Sequence, residues 1–309
     1  MARRLYRKLA TLAKIETTYG VSSAPTGAAN AMLMTDVSIT PIAGEEVSRD
    51  LYRPFLGHQG VMLVGNHVTV EGSVEAAGAG VAGTAPGYGV LLRACGLSET
   101  IAAGVKVDYQ PVSTGFESAT LFWNLDGVNH VLLGARGNVS MSLTPKQIPK
   151  YRFTFSGLLG PITDTALPAL TLTAFKAPVP VSKAATTLSI HGYSAPGESL
   201  TIDLGNQVEP RMLIGSESIE IVDRRATGTA VIEAAELAAV DWFDRALNRT
   251  RGALSAVHGT AAGNIIEVSA AAVEIGRPSY GQTQQITNVS LPLMFASVST
   301  DDDLKITVR

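Results

Sequence analysis

The sequence predicts a mainly β protein made of two tandem β-sandwich or barrel-like domains, each with one flanking α-helix. Segments in which apolar and polar residues alternate recur along the 309 residues, as they do in half-buried strands. The 30 glycines and 15 prolines are placed like turns between these segments. One pattern also occurs twice: residues 133–143 lead through a turn into 150–156, and residues 259–268 lead into 288–295.

The domain organisation follows from this repeat. At about 150 residues per domain, the length favours two domains. Both halves show strands, then a helix candidate, then strands, so the first domain is predicted at residues 1–175 and the second at 184–309. Residues 176–183 contain two prolines and lack periodicity, which is typical of a linker.

The first half is predicted to begin with a basic amphipathic helix, because arginines and lysines alternate with leucines in residues 3–15. This segment is interpreted as a terminal arm that docks on a neighbouring subunit, with a membrane-surface helix as the alternative. Strands at 36–42 and 67–76 flank a long polar loop at 44–65, and a helix follows at 86–96. Further strands are predicted at residues 120–125, 128–133, 138–143, 151–158 and 170–175.

The second half is predicted to carry its helix at residues 235–249, where an apolar stripe is formed by Leu237, Val240, Phe243 and Leu247. Strands are predicted at residues 187–191, 199–204, 217–222, 229–234, 253–257, 264–270, 285–296 and 304–308.

Composition excludes several classes of function. The net charge of −3 provides no basic field that would hold a nucleic acid duplex tightly. The single cysteine, Cys95, excludes an intramolecular disulfide and a multi-cysteine zinc site, and it favours folding inside a cell. No run of about 18 apolar residues predicts a membrane span.

The motifs that could carry chemistry lack the context they need. Residues 78–83 match G-x-G-x-x-G, but Pro86 delays the next helix and the flanking pattern is not βαβ, so a dinucleotide site is not supported. The 5 histidines have no metal-binding spacing, and the aspartates at 301–303 are interpreted as a solvated turn. We therefore expect no enzymatic activity, no cofactor and no metal.

A series of short motifs resembles one known family. Residues 15–20 (Ile-Glu-Thr-Thr-Tyr-Gly), 25–27 (Pro-Thr-Gly) and 31–33 (Ala-Met-Leu) are similar to the opening of the tail tube proteins of long-tailed bacteriophages. Residues 91–98 (Leu-Leu-Arg-Ala-Cys-Gly-Leu-Ser) are similar to the middle of the same family. The first half carries the resemblance densely and the second by its general pattern, as in the tandem-domain members.

This resemblance implies a structural virion protein of the phage tail, made in the host cytoplasm. It implies tail-tube domains whose hairpins join into a continuous inner barrel, and stacked rings that conduct DNA during ejection. For a tandem chain it implies homotrimeric rings with pseudo-sixfold symmetry, stacked helically. The implied partners are further copies of the chain, a tape-measure protein, tail terminator or tip proteins, and double-stranded DNA in transit, with no membrane.

Two sets of residues are expected to serve this role. An acidic channel would repel DNA, and alternate side chains of a barrel strand face inward; the candidate lumen-facing residues are Glu71, Glu75, Glu220 and Glu267. The alternative places these glutamates on the outer, solvated face. The candidate inter-ring contacts, in the N-terminal arm and the long loop, are Arg3, Arg4, Arg7, Glu45, Glu46, Arg49 and Arg53.

Two other classes stay open at this point. One is another tube- or ring-forming structural protein, such as a secretion-system tube, a baseplate component or a capsid-decorating protein. The other is a carbohydrate-binding β-sandwich.

Overall fold

The computed structural model describes residues 3–309, and this part of the chain is mainly β, with 53% strand and 4% helix. The predicted fold class is confirmed. The first half contains β1 (Leu9–Ile15), β2 (Ala31–Met32), β3 (Thr35–Ser48), β4 (Val61–Glu75), α1 (Gly89–Ala94), β5 (Leu97–Ala102), β6 (Lys106–Pro111), β7 (Ala119–Leu125), β8 (Val128–Leu143) and β9 (Lys150–Asp164). The second half contains β10 (Thr186–Ile190), β11 (Tyr193–Ser194), β12 (Gly197–Asp203), β13 (Asn206–Leu213), β14 (Ser216–Arg224), β15 (Thr227–Glu233), α2 (Trp242–Leu247), β16 (Arg251–His258), β17 (Ile266–Ile275), β18 (Ser279–Thr283), β19 (Ile286–Phe295) and β20 (Lys305–Val308).

Most strands belong to one continuous antiparallel sheet that folds back on itself, so that two long parts of it, called sheets I and II, face each other. The two parts are joined where the end of β17 pairs with the end of β19. Sheet I has the order β3–β4–β9–β8–β12–β15–β19–β18. Sheet II has the order β5–β6–β20–β17–β16–β10–β11. The strands β2, β1 and β7 extend from the first part of β8, and β13 and β14 form a separate hairpin.

The core lies between sheets I and II. Met141 and Ile202 of sheet I share one small gap with Val268 and Ile306 of sheet II, and all four are buried. Alternation explains this arrangement, since one face of each strand turns inward and the other turns to solvent. α1 closes one end, where Tyr88 packs on Tyr151 with ring centroids 5.3 Å apart.

Both halves contribute four strands to sheet I in the same order. Unit 1 (β1–β9 with α1) supplies β3–β4–β9–β8, and unit 2 (β10–β20 with α2) supplies β12–β15–β19–β18. In each unit the helix follows the second strand of this set. The strand order is therefore repeated, but the sequence pattern marks only part of this repeat. Residues 150–156 and 288–295 lie on the equivalent strands β9 and β19, whereas residues 133–143 lie on β8 and residues 259–268 lead into β17 instead of β18.

The two units share both sheets. In sheet I, β8 pairs with β12, and Leu143 lies opposite Leu200. In sheet II, β20 from the end of the chain lies between β17 of its own unit and β6 of unit 1. The segment 176–183 is a fixed strap, because the backbone of Val181 exchanges hydrogen bonds with Lys146 and Gln147 at 2.9 Å.

Several local predictions were wrong. The basic N-terminal helix is instead a turn followed by β1, because β1 lies between β2 and β7 and is covered on both faces, so its leucines do not alternate with exposed residues. The segment 170–175 is not a strand in the described chain, and 128–143 is one continuous strand with a bulge. α2 is much shorter than predicted: Leu237 and Leu247 are exposed, and the buried Trp242 was missed.

Besides β1, six strands of the described chain were not predicted: β2, β5, β6, β11, β13 and β18. The strands predicted at 217–222 and 229–234 do not pair with each other. β14 pairs instead with β13, in a hairpin where Pro210 lies opposite Ile219. The predicted loop 44–65 is largely strand. β3 and β4 continue past bends at Gly44 and Gly65, both with positive φ, so only residues 49–60 connect them.

Candidate assembly surfaces

The solvent-facing side of sheet I is polar and contains paired charges. Arg152 on β9 donates to Glu71 on β4 at 2.7 Å, and Lys150 donates to Asp36 on β3 at 2.7 Å. Asp36 has a lowered pKa, first because of the hydrogen bond from Lys150. The remaining positions on this side are mainly hydroxyl residues, among them Ser38, Thr40, Thr69, Thr154, Ser140, Thr201, Thr229 and Ser290.

The four candidate lumen glutamates do not lie together. Glu71 and Glu75 are on the solvent-facing side of β4 in sheet I. Glu220 is on the β13–β14 hairpin and forms a salt bridge with Arg136. Glu267 is on β17 in sheet II and binds Arg309 at 3.2 Å. Only the first two can line one surface.

The two end strands of sheet I each have one unpaired edge. In the part of the chain that the structure describes, β3 pairs with β4 alone and β18 pairs with β19 alone. Every residue of β18 is exposed, and Tyr280 is 65% exposed although it points to the core side. Open edges of this kind expose unpaired backbone donors and acceptors and promote pairing with another chain.

An apolar arm projects beyond the bends at Gly44 and Gly65; it comprises residues 45–64. Its strand residues Val47, Val61, Met62, Leu63 and Val64 are all exposed. At the tip, Leu51, Tyr52, Phe55 and Leu56 are also exposed, with Tyr52 and Leu56 fully so. Apolar patches of this extent on a monomer mark interaction sites.

The candidate inter-ring residues occupy two exposed segments. Glu45, Glu46, Arg49 and Arg53 belong to the arm, where the Arg53 guanidinium lies 5.9 Å from the centre of the Phe55 ring. Arg3, Arg4 and Arg7 lie in the segment before β1, which is tied to the β7–β8 turn by a 2.6 Å hydrogen bond from the Leu5 amide to Asp126.

The β13–β14 hairpin is a second projecting hairpin, and it packs over unit 1. The Ile219 amide donates to the Tyr19 hydroxyl at 2.6 Å, and Arg136 donates to the Ile219 carbonyl at 2.8 Å. The Asn206 side chain donates to the carbonyls of Cys95 and Gly137 at 2.6 and 2.9 Å. This hairpin was hard to predict from the sequence, because Pro210 interrupts its first strand.

Residues 15–20 form the centre of this contact. The Glu16 carboxylate accepts hydrogen bonds from Gly20, Ser118, Thr120 and Gly134, at 2.7–2.9 Å. These bonds fix the segment against the bulge in β8. Tyr19 then lies 4.9 Å from the Arg136 guanidinium, a cation–π contact.

The side chains that could carry chemistry have structural roles. Cys95 is fully buried at the end of α1, and burial raises the pKa of its thiol well above the usual value. Residues 78–83 approach a second glycine turn: Gly78 binds Asn264 at 2.6 Å and Gly80 binds the Gly263 carbonyl at 2.9 Å. Among the described residues, no cluster of histidine, cysteine or acidic groups could hold a metal ion.

The aspartates at 301–303 fasten the C-terminal segment rather than forming a solvated turn. Arg224 binds Asp301 and Asp303, both at 3.1 Å, and Asp302 accepts from the backbone of Val298 and Ser299. Burial acts to raise the pKa of Asp301, but hydrogen bonds from Ser113 and Arg224 outweigh it and lower that pKa.

A cleft of about 900 Å³ opens at one end of unit 2, between β10, β12 and β18. Its lining is mostly serine, threonine and small apolar residues and includes no aromatic side chain among the described residues. The Glu198 carboxylate in it is already engaged by Thr283 and Asn288, both at 2.8 Å. This lining gives no specific support to sugar binding. Neither described helix has the length and apolarity of a membrane span.

Comparison with known proteins agrees with the sequence motifs. A search of curated proteins found no match. The family model of the phage tail tube protein, in contrast, matches residues 7–297 and therefore both units. The chain belongs to the phage tail tube protein family and is a structural component of the virion tail.

Proposed function

We propose that three copies of this chain close into a ring with approximate sixfold symmetry, and that stacked rings form the channel for DNA ejection. One observation carries this proposal. Two units with the same strand order are joined edge to edge in sheet I, which still ends in two open edges. Adding copies in the same way continues sheet I until it closes and neither of its two edges remains open.

The size of such a ring suits its role. Sheet I has eight strands in the described chain, so three copies give a 24-stranded barrel. With strands spaced about 4.8 Å apart and tilted by about 40°, its backbone diameter is roughly 48 Å. This is wide enough for a DNA duplex to pass without pressing on the wall.

The polar side of sheet I is the surface that would face this channel. Its ion pairs and hydroxyl groups leave no cluster of free lysines or arginines, so phosphates find little to bind. Glu71 and Glu75 add negative charge at one level of the wall. DNA would then move through a hydrated gap rather than along a binding surface.

Rings would stack through the exposed tip of the arm, residues 49–60, and through the basic segment before β1. The remaining implied partners are a tape-measure protein inside the growing tube and terminator or tip proteins at its ends. Assembly would take place in the host cytoplasm. This role requires no catalysis, and no side chain described above is placed for it.

Cryo-electron microscopy of the purified protein tests the proposal. We expect hollow tubes or rings containing three chains and six similar units around the axis. Six full-length chains per ring would refute the stoichiometry. A protein that stays monomeric at high concentration and with tail initiator present would refute the tube-forming role.

A further inference from the structure

We infer that the contact between neighbouring chains in the ring repeats the contact between the two units within one chain. In this junction, β18 of one chain pairs with β3 of the next, and the arm of the next chain covers the neighbour's unit 2. The partner is a second copy of this chain in head-to-tail orientation. This inference rests on the proposed ring. It specifies which strand edges meet, which residues lie opposite each other and which side chains become buried.

Equivalent residues of the two units follow from strand pairing. Val74 and Ile232 lie near the ends of β4 and β15, and their partners are Tyr151 on β9 and Val289 on β19. In unit 1, β8 is the next strand of the sheet after β9, and its Met141 lies opposite Tyr151. In unit 2, β18 is the next strand after β19, and its Tyr280 lies opposite Val289, so Met141 corresponds to Tyr280.

The first strands of the two units correspond in the same way. Ile39 on β3 lies opposite Val70, four residues before Val74. Ile202 on β12 lies opposite Gly228, four residues before Ile232. Ile39 and Ile202 are therefore equivalent positions.

The register of the junction follows directly. Within the chain, Met141 of β8 lies opposite Ile202 of β12, and Ser140 lies opposite Asp203. The equivalent pairs between chains place Tyr280 opposite Ile39 and Ser279 opposite Thr40. The core side of this ladder is apolar and its other side carries hydroxyl groups, as in the intrachain ladder.

Burial supports the equivalence. Met141 is 7% exposed between β9 and β12, whereas Tyr280 is 65% exposed because, in the described chain, β18 has a neighbouring strand, β19, on one side only. A strand paired along the β18 edge would cover Tyr280 as β12 covers Met141. It would also satisfy the unpaired backbone groups of both edges.

Equivalent residues of the arm and of the β13–β14 hairpin also differ in burial. Counting back from Val74, Val61 and Leu63 correspond to Ile219 and Ile221 of the β13–β14 hairpin, which lie equally far before Ile232. Ile219 and Ile221 are 0% and 7% exposed, because this hairpin packs on unit 1. Val61 and Leu63 are 42% and 52% exposed. The arm has the same apolar positions but no unit beneath it.

Unit 2 offers a matching surface at the end of α2. The β13–β14 hairpin contacts the end of α1, where Asn206 binds the Cys95 carbonyl. At the end of α2, Leu247 is 84% exposed, and Arg249 has the positive φ that Gly96 has after α1. The neighbour's arm would cover Leu247, which explains an exposed leucine on so short a helix.

Two features of β3 limit the ladder. Pro41 has no N–H, so pairing stops at Thr40, whereas the equivalent Leu204 donates to Val139 at 3.0 Å. The Tyr6 hydroxyl donates to the Val37 carbonyl at 3.3 Å, which places the N-terminal segment beside this edge. That long contact must be released or rearranged when a second copy docks.

Paired cysteines test the register. Thr40→Cys and Ser279→Cys are exposed changes, and the native Cys95 is too buried to compete. After mild oxidation of assembled protein, the double variant should form disulfides between chains, because opposed antiparallel residues lie within disulfide range. Thr40→Cys with Thr283→Cys is the control, since its partner is four residues away along the same side of β18.

Cross-linking that favours the 40–279 pair by at least tenfold supports the inference. Tubes that form normally but cross-link no better at 40–279 than at 40–283 overturn it while leaving the tube-forming role intact. Absence of any assembly by the unmodified protein would instead refute the role itself. Circular dichroism of each variant before oxidation confirms that the fold is retained.

A second variant tests the arm. Leu63→Asp should reduce ring formation at least tenfold in sedimentation experiments, because it buries a charge in the proposed contact, while the monomer stays folded. Val105→Asp, on the exposed turn between β5 and β6, is the control and should form rings normally. Normal ring formation by Leu63→Asp, or equal loss in both variants, contradicts the proposed arm contact.

Discussion

At the residue scale, Glu16 connects the N-terminal strand to the centre of unit 1. Its carboxylate receives hydrogen bonds from two backbone amides and two hydroxyls, and its side chain lies in a buried position. Because these donors are shielded from water, each depends on the carboxylate for its hydrogen bond. The resemblance of residues 15–20 to other tail tube proteins thus has a physical basis in this junction.

Glu16→Ala should lower the free energy of unfolding by about 2–4 kcal/mol, because several buried donors lose their acceptor. Glu16→Gln should lower the free energy of unfolding by less, because the side chain keeps one acceptor oxygen. Some loss remains, because its NH2 group faces hydrogen-bond donors. Urea unfolding of the monomer measures both. Glu46→Ala, an exposed change on the arm, is the control and should stay within about 0.5 kcal/mol. A loss in Glu16→Ala no larger than in this control would contradict the assigned role.

His258 is a second buried polar residue with a defined task. Its ring donates to the Val179 carbonyl at 2.9 Å and accepts from the Thr186 hydroxyl at 2.8 Å, so the neutral form ties the strap to β10. Burial lowers its pKa, outweighing the hydrogen bond to Val179 that raises it. The unfolded chain therefore binds a proton more readily than the folded chain as pH falls.

The stability contributed by neutral His258 should be present above about pH 6.5, the ordinary pKa of a histidine side chain. It should be lost as the pH falls toward the lowered pKa of His258 in the folded chain. We expect wild-type stability to decrease between pH 7.5 and 5.5. His258→Gln should be less stable at pH 7.5 but should lose less stability over the same interval. Urea unfolding at both values measures this, and equal losses in the two proteins would contradict the prediction.

At the element scale, two glycine turns hold the units together away from the sheets. The turn at 78–83 meets the turn at 259–264, and a Cβ on Gly78 would lie 2.0 Å from the Gly263 carbonyl oxygen. The pattern that superficially matches a nucleotide-binding loop is explained by this close backbone approach. Its glycines serve contact between units rather than contact with a ligand.

Gly78→Ala should therefore cost about 2 kcal/mol or more, because backbone on both sides must move. Gly104→Ala provides the comparison: a Cβ there meets open space, so only its positive φ of 72° opposes the change, at about 1 kcal/mol. Thermal unfolding of both variants measures the difference. Equal destabilisation would show that the close approach is not what requires glycine at position 78.

At the scale of the whole molecule, the charge on sheet I should control DNA movement. Glu71→Lys with Glu75→Lys replaces two carboxylates by ammonium groups on one surface, and phosphates would then bind and release counterions. We expect tubes to assemble, because exposed ion pairs contribute little to stability, but DNA release to slow, with the delay decreasing at higher salt. Timed ejection from reconstituted virions measures this.

Glu236→Lys is the control, since Glu236 lies in the segment between β15 and α2 and not on a strand of sheet I. Unchanged release in the double variant would show that this side of sheet I does not face the channel. Slowing in the control as well would show that net charge, rather than position, sets the rate.

The sequence by itself determined the fold class and most of the strands, because alternation and turn residues are local properties. It indicated a repeat, although it matched β8 with the segment leading into β17 instead of with β18. It also identified the family through residues that the structure shows to be packing centres, such as Glu16, Tyr19 and Cys95. It did not predict β1, where residues 10–13 are buried on both faces, or β13, whose proline lies opposite Ile219 in a separate hairpin.

Only the tertiary structure decided which strands are neighbours. Alternation fixes the two sides of a strand but not its partner, so the placement of β20 between units and the pairing of β8 with β12 left no local sign. The same limit applied to the glutamates: periodicity placed all four on polar sides, and the sheets then separated Glu71 and Glu75 from Glu220 and Glu267. Long-range pairing determines what a surface faces, and only the folded chain contains it.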